Sequence, residues 1–477
     1  MSFPANNLSD EEFEQWRYVK DEFADSVAEA LLKSPHAHEV YQALGKIVKN
    51  NDPVDIHLFE YTNIGQGCDE NGNLLRHDTD DEHVRLVGLM SDYFNDLSLM
   101  PVRGVEKTVI ENGAAIYYNY VMSATIALAV RSLLKQYAAF RATNVLVFTK
   151  LLNRYPHRRI IETMQFVMDV MDPNGFKPDG HAIRAIQKLR LVHAMIRARI
   201  KFADQRAKEL ENVNDADKSD AEKQLKRWDM SWGEPINQQD MIFAVHTFSV
   251  EVIDGMVASG INLHESEKES YYATWHYIGR ALGVKDEINP MTYEDGKIMQ
   301  ERIYKKEFVA PNPNATVLSD PLIEFMTQIL PFKPVKKHIY SVVKLYNDPK
   351  DYEPIFKNIL KIDLSEANDH FTHQIKLLSG LLRFFIWLRF SFVPRDKKHQ
   401  VYFSNAIRHY NMMQRIVDLE KTWSDKHFRI SDGFGDRFAI EDSRIKPKNK
   451  FHLLLDKIIK FFFNRMIRRH SKKKAVN

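Results

Sequence analysis

Apolar residues in this chain recur every three or four positions in one segment after another, and they nowhere alternate for the length of a strand. That period is the spacing of one helix face, so the pattern requires an all-α, multi-helix fold. Gly and Pro, 18 of each, sit mostly between the periodic stretches rather than inside them. No internal repeat is visible.

The pattern divides the chain into three. Residues 1–80 read as an N-terminal extension: a helix in "DEEFEQWRYVKDEFADSVAEALLK", then a turn-rich stretch, "NIGQGCDENGNLLRHDTDD". Residues 81–300 read as a dense helical core, interrupted by the charged segment "KELENVNDADKSDAEKQLKRWD", a solvated helix or connection. Within the core, "NQQDMIFAVHTFSVEVIDGMVASG" has a start signal in Asn237 with Asp240 three residues on, and a stop in Gly260. Residues 301–477 form a C-terminal helical region. It ends in "KFHLLLDKIIKFFFNRMIRRHSKKK", a basic amphipathic stretch that suits either a core-docked helix or, through residues 450–474, peripheral contact with an anionic membrane.

A formal net charge of +3 over 477 residues argues against nucleic acid as the main partner, since phosphate binding needs a strong basic field. Cys68 is the only cysteine, so this chain alone makes no disulfide and no thiolate metal site. The N-terminus has no basic-then-apolar pattern, so no export signal is seen, and the expected location is cytoplasmic with membrane association left open. The longest uncharged run, Asn112 to Val130, has the length of a membrane span, but its Asn, Tyr and small residues favour a buried helix.

One stretch carries a chemical question. In "RLVHAMIRARI", residues 190–200, helical spacing places Ile186, Leu189, Ile196 and Ile200 on one stripe with His193 in its middle. Arg190 and Arg197 fall along one side. Upstream, "RRIIETMQF" puts Arg159 and Thr163 four apart on one face, and the turn "PNGFKPDGH" lets the two helices face each other. A bare metal ion wants three or four ligands, whereas one histidine suffices for haem, because the porphyrin supplies the rest. Arg190 and Arg197 could then meet propionates, with Arg159 and Thr163 on the opposite wall. The alternative is a buried histidine with an ordinary hydrogen bond. His36 and His38 read as a loop pair, and His246, His264 and His276 each stand alone and read as structural.

Read in order, "RLVHAMIRARI", "WGEPINQQDMIFAVHTFSVEVIDGMVASGI" and "ATWHYIGRALGVKDEINP" resemble the signature of the latex-clearing-protein (rubber oxygenase) and MpaB-type oxygenase family. The likeness covers roughly residues 80 to 300, and more loosely to about 390. It implies a globin-like helical core around haem b, with His193 as the proximal iron ligand and Arg197 as the arginine of the same motif. Arg159 and Thr163 match the family's R-x-x-K-T, with Glu162 standing in place of its lysine. The family's upstream acid has no counterpart, since no Asp or Glu lies between Arg141 and Ile161, and Glu162 is the candidate to take over as base. The resemblance implies a haem b-dependent oxygenase that cleaves a double bond of an apolar alkene, isoprenoid or lipid with dioxygen. The alternatives are a haem- or lipid-binding protein without turnover and a membrane-associated MpaB-like oxygenase.

Overall fold

The computed structural model of the chain describes residues 3–34, 81–95, 105–148, 156–176, 180–214, 218–219, 227–329, 336–377 and 380. In chain order its first helices are α1 (Asp10–Gln15), α2 (Glu22–Lys33), α3 (Asp81–Asn95), α4 (Val105–Asn119) and α5 (Val121–Ala127). After a π turn, Leu128–Ser132, come α6 (Leu133–Ala138), α7 (Phe140–Phe148), α8 (Pro156–Val170) and α9 (His181–Glu209). The rest are α10 (Gln238–Phe248), α11 (Val250–Ala258), α12 (Glu265–Ala281), α13 (Tyr293–Glu307), α14 (Pro313–Ile329) and α15 (Lys336–Tyr346). No strand occurs among the described residues, and the chain is all-α as its periodicity requires. Residues 35–80, which hold His36, His38 and all but the last residue of the stretch read as turn-rich, most of the charged segment after Glu211, and the basic tail 450–474 lie outside the described residues.

Local chemistry sets the helix ends. The Asn237 side chain accepts from Asp240 N at 3.0 Å and the Asp240 carboxylate accepts from Asn237 N at 3.3 Å, closing the box expected at the start of α10. Gly260 takes φ +93° just after α11, a left-handed turn that a side chain would resist. Two long apolar runs are interrupted. Residues 238–258 break at Ser249 (φ −105°, ψ −77°) into α10 and α11. The uncharged run from Asn112 to Val130 bends by 86° between α4 and α5. By length and composition Gln238–Ala258 could cross a membrane, but 72% of its apolar window is buried inside the protein.

The described apolar residues collect into three clusters. The largest joins α4 to α6, α8 and α10 to α15. A second joins α2 and α3 to α9, and a small third surrounds Val145, Ile200 and Trp228. Helix α9, 29 residues and about 44 Å long, feeds all three: Ala182, Ile183 and Ile186 enter the first, Leu191, Ala194 and Met195 the second, Ile200 the third. Residues 3–34 pack into this assembly. The Arg17 guanidinium donates to the Trp232 carbonyl (2.7 and 2.9 Å) and meets Glu307 (3.2 Å) and Asp240 (3.3 Å). Arg302 donates to the carbonyls of Ala5 and Leu8 at 3.0 and 2.6 Å.

Candidate functional site

Helices α8 and α9 pack against each other, as the turn between them allows. His181 Nε2 lies 3.0 Å from Asp172 Oδ2, where the start of α9 approaches the end of α8. Glu162 and Thr163 are half-buried on α8. Arg159 lies on the same helix, but its side chain falls outside the described residues.

His193 sits midway along α9. Ile186, seven residues earlier on the same face, enters the large cluster, and Leu189 packs against it. Ile196 and Ile200, further along that face, belong to the small cluster with Trp228. His193 therefore stands where two apolar clusters adjoin, half-buried, with Nδ1 enclosed. Among the described residues, no group of three or more His, Cys, Asp or Glu side chains could hold a bare metal ion.

The two arginines have clear partners. Arg197 Nε donates to Asp25 Oδ1 at 2.6 Å, and its Nη1 donates to the Ile236 carbonyl at 3.0 Å. Arg190 pairs with Asp21 through both Nε and Nη2, the latter at 2.8 Å, and stacks over Phe23 at 5.4 Å. Both acids belong to the start of α2: Asp21 caps it and Asp25 lies one turn in. The cations expected to meet propionates are thus engaged by α2 carboxylates. Arg197 keeps one free donor, because Nη2 is buried without a hydrogen-bond partner among the described residues, four residues from His193. A carboxylate-bearing ligand beside His193 would satisfy it. A single enclosed histidine on an apolar face, with a buried guanidinium N–H one turn on, fits a group that brings its own nitrogen donors and carries acidic arms.

The three ordered motifs meet physically. Arg197 of the first binds the carbonyl of Ile236 in the second. Ile236 has φ +51°, a conformation that strains a β-branched residue and persists only when neighbours over-determine it. Gln238 then reaches the third motif: its Nε2 donates to the Gly283 carbonyl (3.0 Å) and its Oε1 accepts from Lys285 N (2.9 Å). Gly283, at φ +93°, lies so close to the Asp21–Arg190 pair that a Cβ there would meet Asp21 Oδ2 at 2.5 Å and Arg190 Nε at 2.9 Å. The motif residues therefore build a polar junction that fixes α9 against α2 and the start of α10. Periodicity missed Asp21 and Asp25. The signal was there: Asp25 lies among the apolar positions Ala24, Val27, Ala28 and Leu31, and an acid so placed requires a buried cation.

His246, His264 and His276 have structural partners. His246, fully buried, lies 3.2 Å from Gln300 Oε1 and 3.1 Å from the Tyr272 hydroxyl, and burial lowers its pKa to about 3. His264 caps α12, and His276 Nδ1 lies 3.0 Å from the Pro290 carbonyl.

The fold and the junction define an all-α protein whose longest described helix presents His193 at the seam of two apolar clusters. Residues 118–351 match the family described as ER-bound oxygenase mpaB/B'/Rubber oxygenase, catalytic domain. A rubber oxygenase from Streptomyces sp. (strain K30) is 22% identical over 174 residues, which span 36% of this chain and only 37% of that protein. The solved structure of latex clearing protein LCP in the closed state has the same fold, with a TM-score of 0.52 at 17% identity, covering 84% of this chain and 91% of that one. Residues 118–351 thus form a domain of the latex-clearing and MpaB-type family, a family of oxygenases. The match crosses residue 300 and takes in α13 to α15, which share the large cluster with α10 to α12.

Proposed function

We propose that this chain is a haem b-dependent oxygenase acting on an apolar alkene of the isoprenoid or lipid type. The observation that carries the reading is His193, held between two apolar clusters on a helix whose position the family's own motif residues fix. In this reading His193 ligates the iron and Arg197 Nη2 binds a propionate, while Arg190 with Asp21 holds the helix in place. Bound haem would supply the redox chemistry for dioxygen, which no side chain here provides. The chain's own part is to orient substrate and exclude water with the apolar faces around Ile186, Leu189 and Ile196. Thr163 would offer a hydroxyl on α8, and Glu162, in the place of the family's lysine, would take or return a proton during double-bond cleavage.

The test is an absorption spectrum of the full chain expressed with haem supplied. A Soret band that disappears in His193→Ala while the far-ultraviolet dichroism is kept is the expected result; a colourless wild-type protein sinks the reading. The engagement of Arg190 and Arg197 by Asp21 and Asp25 favours one second reading, a binder without turnover, in which these residues serve packing alone. Incubating the coloured protein with unsaturated lipids and polyisoprene under oxygen separates the two, since carbonyl products exclude the inert binder. Peripheral membrane contact through residues 450–474 belongs to the same proposal, and deleting those residues should release the protein from anionic vesicles.

A further inference from the structure

A second site lies away from α8 and α9. Helices α11, α13 and α15, with the turn that follows α15, enclose a cleft of about 570 Å³, the size of a small-molecule site. Two π turns border it: Leu128–Ser132 supplies Arg131, and Tyr352–Lys357 supplies Tyr352. Such turns re-aim side chains and recur at functional sites.

The lining is strongly charged. At the floor, Arg131 and Lys135 are buried, which is costly for any cation. Arg131 Nε donates to Glu251 Oε2 at 2.6 Å, and Lys135 Nζ lies 3.2 Å from the same oxygen and 2.9 Å from Asp351. Tyr304 donates to the other Glu251 oxygen at 2.5 Å, so that carboxylate is fully engaged. Burial pushes Glu251 toward the neutral form, but Arg131 and Lys135 outweigh it and bring its pKa down to about 2. Asp254, one turn further along α11, is raised instead, chiefly by burial.

The rim is basic. Lys297, Lys344, Lys350 and Lys376 line it, against Glu301 and Asp348. Three of these lysines hold exposed or half-exposed acids: Lys297 with Glu294 at 3.4 Å, Lys344 with Asp369 at 3.1 Å, Lys350 with Glu301 at 3.4 Å. Pairs of that kind are weakly held in water and exchange readily for a ligand. Lys376 has no acidic partner among the described residues. The whole lining carries six basic side chains and four acidic ones.

We propose that this cleft is a binding site for a phosphate-bearing ligand, its oxyanion held by Lys344, Lys350 and Lys376 at the rim above Arg131 at the floor. A tetrahedral dianion uses donors arriving from several directions, which rim lysines on separate elements supply. The cleft volume leaves room for a polar small molecule attached to the phosphate. Two sources offer that chemistry, a soluble phosphorylated metabolite and a phosphomonoester lipid headgroup. The site shares no lining residue with α8 or α9, so it stands whatever group His193 holds.

The experiment uses the full chain. Pyrophosphate and glycerol 3-phosphate are titrated calorimetrically at constant ionic strength, and sedimentation is measured with phosphatidylcholine vesicles carrying either phosphatidylserine or phosphatidic acid at equal surface charge, so that attraction of the basic tail is common to both. The Lys344→Ala/Lys350→Ala variant alters partly or fully exposed side chains and so leaves the fold intact, and His193→Ala serves as the control. Saturable binding in solution, weakened at least tenfold in the lysine variant and unchanged in His193→Ala, identifies a soluble ligand. Phosphatidic-acid-dependent sedimentation that the lysine variant loses, without binding in solution, identifies the headgroup. Absence of binding in both formats, or binding that the lysine variant keeps, overturns the proposal.

Discussion

At the residue scale, removing the Asp25 carboxylate would leave the Arg197 guanidinium buried beside Ile236 without its counter-charge. Breaking a buried pair from one side costs about 3–5 kcal/mol, far more than the pair contributes as a whole. Asp25→Ala should therefore lower the urea midpoint sharply, and a midpoint equal to wild type would show that Arg197 does not depend on this partner. Gly283→Ala tests the same junction from the third motif. It adds a Cβ at a left-handed position against Asp21 and Arg190 and should cost about 1 kcal/mol or more. A neutral or stabilising effect in chemical denaturation would mean the junction is looser than its distances imply. The arginines also show what spacing leaves out. Their place beside the stripe was legible from the chain, but their partners lie about 170 residues upstream, and helical periodicity reports only neighbours on the same helix.

At the scale of elements, α10 and α13 share a buried hydrogen-bonded run from His246 through Gln300 to Tyr304 and Glu251. His246 is neutral in the fold, its pKa lowered by burial to about 3, against an ordinary value of 6.5. The unfolded chain therefore binds more protons below pH 6.5, and the stability held above that value is lost as pH falls toward 3. Glu251 adds in the same direction, its contribution being present above 4.5 and lost as pH falls toward 2. The urea midpoint should thus decline from pH 6.5 downward, with a shallower decline between pH 6.5 and 4.5 in His246→Gln. A wild-type midpoint flat across pH 6.5 to 4.5 would contradict the buried neutral imidazole. The same elements show where periodicity stops short. Residues 238–258 carry one continuous apolar pattern, yet the helix is interrupted at Ser249, whose hydroxyl donates to the Val245 carbonyl at 3.0 Å.

At the scale of the molecule, the N-terminal residues act as a structural wall. Helix α2 covers Leu191, Ala194 and Met195 of α9, of which Leu191 and Met195 are each worth about 1.5–3 kcal/mol when buried, and supplies both buried acids. A chain starting at residue 35 should lose cooperative thermal unfolding and aggregate in size-exclusion chromatography. An unchanged melting curve for that truncation would reduce residues 3–34 to an appendage. The same scale joins the two candidate sites, since α10 to α12 carry the motif junction at one end and wall the charged cleft through α11 at the other.

The sequence alone determined the helical class, because a 3.6-residue period needs no partner to be read. It also marked the capped start of α10, the glycine stops, and His193 as the polar intruder on an apolar face, all of which are local. Only tertiary structure decided that Arg190 and Arg197 face Asp21 and Asp25, that Ile236 is held at positive φ by one of them, and that six basic side chains, none of them in a motif, converge on one cleft. Those facts depend on groups far apart in the chain, and buried charges disclose their partners only once packing has removed the water between them.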